Sequence, residues 1–255
     1  YKQILSKCRD YRDTLNVYHQ IYRLNREYGR IDEALKYMNL YIARVKGSEP
    51  LENYAGQYNR ITRLYSFIDF DKAKEILDSY EKIFEGNDNP YRMPNWKINM
   101  YIDGEKWGLI EDQIELLQTA YSEMGLAYDH LSRHQAFVAE HVYDDYERAI
   151  SLYEDFLVNN KSWNYADVHI GMSRSYRKLK KFTKAKSILD NIANTSIKYL
   201  FDADYEFALL YKDMGEYDKA LEKINMYLDH YKYAHPDHFA VNRAKEFKQT
   251  LLNSF

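Results

Sequence analysis

The sequence predicts an all-α chain built from consecutive helix pairs, and three observations carry that prediction. The chain holds only 9 Gly and 4 Pro against 27 Tyr, with 45% apolar residues. It is therefore poor in turn formers and rich in side chains whose rings pack between helices while the hydroxyl reaches water or a carbonyl. Apolar residues recur at i, i+3, i+4 and i+7, the period of one helix face. The stripe also stops and restarts, most clearly in residues 202–231. There Ala208, Tyr211 and Met214 share a face of a first helix, and Gly215 with Glu216 interrupts it. Tyr217, Ala220, Leu221, Ile224, Tyr227 and Leu228 then form the stripe of a second. Ala208 and Ala220 sit at the expected crossing, since only a small side chain lets two helix axes come within roughly 8–10 Å.

The order Ala208, Tyr211, Gly215, Tyr217, Ala220, Ile224, Tyr227 resembles the tetratricopeptide repeat, a helix–turn–helix unit of about 34 residues. The early Trp of that repeat is missing, and Pro236 falls a few residues later than its closing Pro. The resemblance implies a right-handed α–α superhelix, a solenoid of about five to six helix pairs ended by a capping helix. It also implies a general role in binding a protein or peptide.

Taken in order, Tyr1, Ile4, Leu5, Cys8 and Tyr11 have the spacing of a second repeat helix without its first. The chain is thus expected to be a fragment of a longer array, treated as a single solenoid over 1–255. A first repeat, 15–48, places Ile21, Tyr22 and Leu24 before Tyr28-Gly29-Arg30, then Ile31, Ala34, Leu35, Met38 and Tyr41. A second, 51–84, carries Tyr58, Ile61 and Leu64, then Phe70, Ala73, Ile76, Leu77 and Tyr80, with Asp69 in place of the turn glycine. Pro90 and Pro94 suggest a long loop. A degenerate third unit, 94–118, follows.

The fourth unit, 118–158, breaks the register. Tyr121, Met124, Gly125 and Tyr128 read as its first helix, with Tyr146, Ala149, Ile150, Tyr153 and Phe156 on the partner. The intervening 132–143 has no Gly or Pro, so an overlong protruding helix is expected, exposing Phe137, Val138, Val142 and Tyr143; a shorter helix plus loop is the alternative. Asn159, Asn160 and Ser162 make the next turn. A fifth unit, 166–196, has Ala185 in the small position, and the sixth is 201–231. His235, Pro236 and Asp237 suit a helix start, and 238–253 fits a capping helix.

A net charge of −3 and a pI near 6.3 give no overall attraction for nucleic acid or anionic membranes. One cysteine, Cys8, excludes an internal disulfide and a cysteine-based zinc site. No apolar run is long enough to span a bilayer, and no signal peptide is visible; the cytoplasm is the expected compartment, with a periplasmic or secreted location as the alternative, since a chain that begins at Tyr1 is expected to be a fragment that has lost any leader. Catalytic motifs are missing too, so the chain is read as a scaffold and not an enzyme, with no cofactor. His130, His134 and His141 share one stripe and would suit a metal, but a polar helix face is the preferred reading.

By resemblance, the first helices line a concave groove for an extended peptide. Carried over by position, the lining is His19, Arg23 and Arg26, then Tyr58, Thr62 and Tyr65. Ser122, Leu126 and Asp129 follow, then Ile170, Arg174, Arg177 and Lys178, and last Tyr205, Leu209 and Lys212. The basic members point to an acidic protein or peptide partner, because Arg binds carboxylates bidentately. Solvated charge is the competing reading for Arg174, Arg177 and Lys178. Two alternatives keep the same fold: a ligand-sensing regulatory module of a larger signalling or transcription-regulating protein, or an accessory domain of an enzyme.

Overall fold

The computed structural model describes residues 11–83, 90–160, 166–195 and 200–253. Thirteen α-helices and no strand occur among them. They are α1 (Tyr11–Glu27), α2 (Ile31–Val45), α3 (Leu51–Tyr65), α4 (Phe70–Ile83), α5 (Arg92–Asp103), α6 (Glu111–Glu123) and α7 (Leu131–His141). After these come α8 (Tyr146–Asn159), α9 (Ala166–Lys178), α10 (Phe182–Thr195), α11 (Leu200–Asp213), α12 (Tyr217–His230) and α13 (Phe239–Leu252). Consecutive helices pair as α1/α2, α3/α4 and so on to α11/α12, so the all-α hairpin expectation holds.

One rule recurs in the second helix of each pair. An apolar residue opens or precedes it, and three or four positions on comes a buried residue, small in five of the six pairs. Ala34, Ala73, Ala149, Ala185 and Ala220 are all completely buried. Each also donates its amide to the residue just before its helix, as in Ala34 to Arg30 at 3.0 Å and Ala220 to Glu216 at 3.0 Å. Ile114 makes the same bond to Ile110, so the third pair follows the pattern with a larger side chain. The intervening turn carries a left-handed residue at Gly29, Glu105, Asp144, Lys180 and Gly215. Asp69 differs: its carboxylate caps α4 by accepting from the Lys72 amide at 2.9 Å.

The chain forms two compact units. Unit one, 1–88 with 231–242, holds pairs α1/α2 and α3/α4 around Ile31, Ala34, Met38, Val45 and Leu64. Residues 231–242 close on its turns. The His235 amide donates to the Gly29 carbonyl at 2.8 Å and the Phe239 amide to that of Phe67 at 3.1 Å, while Phe67 stacks on His238 at 5.1 Å. Gly29 is needed twice over, since its φ is +65° and a Cβ there would lie 2.9 Å from that of Ala234. Pro236 and Asp237 precede α13 and lie outside it.

Unit two, 89–230 with 243–255, holds the other four pairs and most of α13. Its cores are Ile98, Ile110, Leu117 and Val138, then Ala136, Tyr153, Phe156 and Val168, then Ala185, Leu189, Phe207 and Leu210. Here the structure corrects the fourth unit. Tyr121 belongs to the end of α6, which Gly125 stops in the left-handed conformation while the Leu126 amide bonds back to Tyr121 at 2.9 Å. Residues 131–141 are a new first helix, neither an extension nor a loop, and Phe137 and Val138 are buried; only Val142 and Tyr143 stay exposed. Pro94 likewise falls in the first turn of α5 and not in a loop, where its missing amide hydrogen costs nothing. The expectation for 1–10 rests on residues outside those described, as do Ser162 in the turn after α8 and the end of the second repeat, while Tyr11 opens α1.

Candidate functional site

The first helices of the last three pairs, α7, α9 and α11, place ionisable side chains at intervals of about one repeat. Arg174 donates from Nε to Glu206 at 2.8 Å and from Nη1 to Glu140 at 3.2 Å, with sequence separations of 32 and 34. Arg177 donates to Asp213 at 2.6 Å and lies 3.7 Å from Glu206. The buried Tyr153 hydroxyl donates to Glu140 at 2.7 Å. Gly171 makes room for it, because a Cβ there would collide with that hydroxyl. Together these side chains form a ladder that ties three hairpins of unit two.

Its electrostatics follow from burial. Desolvation raises the Glu140 pKa, and Arg174 and Tyr153 oppose the rise. Burial works against the Arg174 guanidinium, but Glu206 and Glu140 outweigh it, so its pKa moves up. Tyr153 is held well above the usual phenol range by burial and then by Glu140. His141 Nε2 lies 2.9 Å from Arg174 Nη1, and its ring is stacked on Trp107, with ring centroids 4.0 Å apart. Burial, followed by Arg174, Arg243 and Lys178, lowers its pKa to about 3.

The sequence-derived lining is thus divided. Arg174 and Arg177 are neither solvated nor unengaged, because both are matched by carboxylates of the chain. Lys178 is exposed, Leu209 is half-buried, and Lys212 sits 3.5 Å from Asp213. Tyr205 lies beneath Arg243, whose guanidinium is 5.5 Å from the ring. Ile170 is buried. Ser122, Leu126 and Asp129 fall at the end of α6 and in the connection after it, not on a first helix. The sequence reading missed Glu140, Glu206 and Asp213. Their signal was a carboxylate one repeat away from each arginine.

In unit one, Arg26 lies over Phe67 at 5.9 Å. Tyr58 packs on Tyr80 at 4.3 Å, Tyr65 packs against the core, and Thr62 is fully buried with its hydroxyl donating to Tyr58. His19 stacks on Tyr22 at 5.9 Å. Its pKa is lowered by burial, then by Arg60, then by Arg23. Arg60 hydrogen-bonds Gln57 and lies over Tyr22 at 5.9 Å. Neither Arg23 nor Arg60 meets a carboxylate among the described residues.

The histidine stripe is not a polar face. His134 is buried, with Nδ1 2.6 Å from the Tyr128 hydroxyl, and its pKa is lowered by burial and then by Arg133 and His130. Among the described residues no group of three metal-ligating side chains converges, and no helix is long and apolar enough to cross a membrane.

Paired helices crossing at a fixed small residue, with a left-handed turn between them, define the tetratricopeptide-repeat fold, and solved structures agree. The crystal structure of a tetratricopeptide repeat protein from Parabacteroides merdae is similar with a TM-score of 0.50 and 13% identity, over 93% of this chain and 89% of that one. The Cut9-Hcn1 hetero-tetramer of the APC/C is similar with a TM-score of 0.58 and 14% identity, over 95% of this chain and 44% of that one. No protein-family model and no curated protein matches the sequence.

Proposed function

We propose that the chain is a protein-interaction scaffold whose first helices receive a segment of a partner, and that the face around His19 receives an acidic one. The observation that carries this reading is the uncompensated charge there. Burial and then the Arg60 and Arg23 guanidiniums lower the His19 pKa, neither arginine pairs with a carboxylate among the described residues, and Arg23 is exposed on the surface of α1. An arriving carboxylate would gain charge-assisted hydrogen bonds, bidentate with Arg, at a place where none of the described residues supplies one. The ladder of unit two lacks that capacity, because its arginines are already matched.

The test is fluorescence polarisation with a labelled peptide rich in Asp and Glu. The double variant Arg23→Glu, Arg60→Glu is expected to weaken binding about tenfold or more, with an unchanged far-UV circular dichroism spectrum. Wild-type affinity should fall as salt is raised. Binding that ignores both the substitutions and the salt moves the site elsewhere.

A further inference from the structure

Unit two carries one ion pair that joins residues far apart in the chain and lies beside the ladder. Arg243 on α13 grips Glu105 with both carboxylate oxygens, Nη2 to Oε1 at 2.9 Å and Nη1 to Oε2, across 138 residues. Its guanidinium covers Tyr205, and Phe247, one turn along the same helix, meets that ring edge-on at 6.2 Å. Glu105 stands in the left-handed turn, with φ of 53°, two residues before Trp107. Trp107 in turn stacks on His141, and His141 contacts Arg174. The contacts therefore run without a gap from Arg243 through the 104–109 turn to the ladder.

The two kinds of ion pair differ in how easily they part. Glu140 is 1% exposed, so breaking its pair strands a buried charge. Arg243 and Glu105 are 45% and 34% exposed, so water and salt can take over from either partner. We propose that the Glu105–Arg243 pair is a clasp on unit two: closed, it holds the 104–109 turn and Trp107 against His141; open, it releases that turn and uncovers Trp107 and His141. The clasp rests on contacts inside unit two alone, so it stands apart from the acidic-segment reading of unit one. Raised ionic strength, or a carboxylate that competes for Arg243, opens it.

Hydrogen exchange with mass spectrometry on the full chain tests the clasp. Arg243→Ala is expected to speed amide exchange in 104–110 and 138–143 by about threefold or more while leaving α10 and α12 as in the wild type. Wild-type protein in about 1 M NaCl should show the same local change. The charge-exchanged variant Glu105→Arg, Arg243→Glu should return both segments to wild-type protection. Acrylamide quenching of tryptophan should rise in Arg243→Ala, and that rise should vanish when Trp107→Phe is added. Unchanged exchange in Arg243→Ala, or equal acceleration throughout unit two, would overturn the clasp; so would a rise in quenching that survives the loss of Trp107.

Discussion

The two units share one hairpin rule and treat arginine in opposite ways. In unit one, Arg23 and Arg60 flank His19 with no carboxylate among the described residues to answer them. In unit two, Arg174 and Arg177 are locked by Glu140, Glu206 and Asp213. Arg23 is thus a surface charge, while Arg174, at the same sequence distance from the alanine of its hairpin, is a structural fastener. A positional list of groove residues does not separate the two. What separates them is whether a carboxylate lies one repeat away.

The largest effect expected from this contrast is in stability. Arg174→Ala leaves Glu140 buried without its guanidinium and Glu206 with only the more distant Arg177, and should cost about 3–5 kcal/mol, read by urea or thermal unfolding. Arg23→Ala, at an exposed site, should stay within about 0.5 kcal/mol of wild type. Similar losses for the two would erase the distinction.

Acid comes next. His141 is held neutral with a folded pKa of about 3 against an ordinary value of 6.5. Above pH 6.5 both states are neutral at this group. As pH falls from 6.5 toward 3, the unfolded chain takes up the proton first, so stability is lost across that window, by roughly 2 kcal/mol at pH 5 for one such group. His238 in unit one, lowered to about 4 by burial, adds a loss of the same sign. Glu140 acts oppositely: its raised pKa favours protonation in the folded state, which returns some stability as pH falls toward the carboxylate range. Unfolding midpoints measured from pH 7 to pH 4 should fall, and His141→Asn should flatten the curve. A wild-type midpoint that is flat with pH would contradict the buried neutral assignment.

The smallest effect compares turns. Lys180 holds a φ of 57° that a side chain disfavours, so Lys180→Gly should stabilise unit two by about 0.5–1 kcal/mol. Gly29→Ala should destabilise unit one by more than that, since the left-handed strain is joined by the contact with Ala234. Thermal shifts of opposite sign are the expected result, and shifts of the same sign would show that the turns are not alike.

Much of the fold was legible because it rests on local rules. The alanines at 34, 73, 149, 185 and 220 could be read from spacing, and each is completely buried in the equivalent place of its helix. The error between Tyr121 and Tyr143 came from taking Gly125 as an interior helical residue; its left-handed φ instead ends α6 and frees 131–141 to start a hairpin. The ladder was harder to read, because its partners are separated by 32 to 36 residues. Periodicity along a helix says nothing about which side chains of neighbouring repeats meet. Arg60 was missed for a related reason: its place beside His19 depends on how α3 lies against α1.

Arrays in which each repeat touches only its neighbours lose structure piecemeal, because their stability is a sum of local terms and the weakest junction yields first. Arg174 changes that balance by holding a carboxylate of the hairpin before it and its own hairpin's successor at once. The α7/α8, α9/α10 and α11/α12 hairpins are consequently expected to melt as one cooperative block, with fraying expected to begin at the junctions outside it.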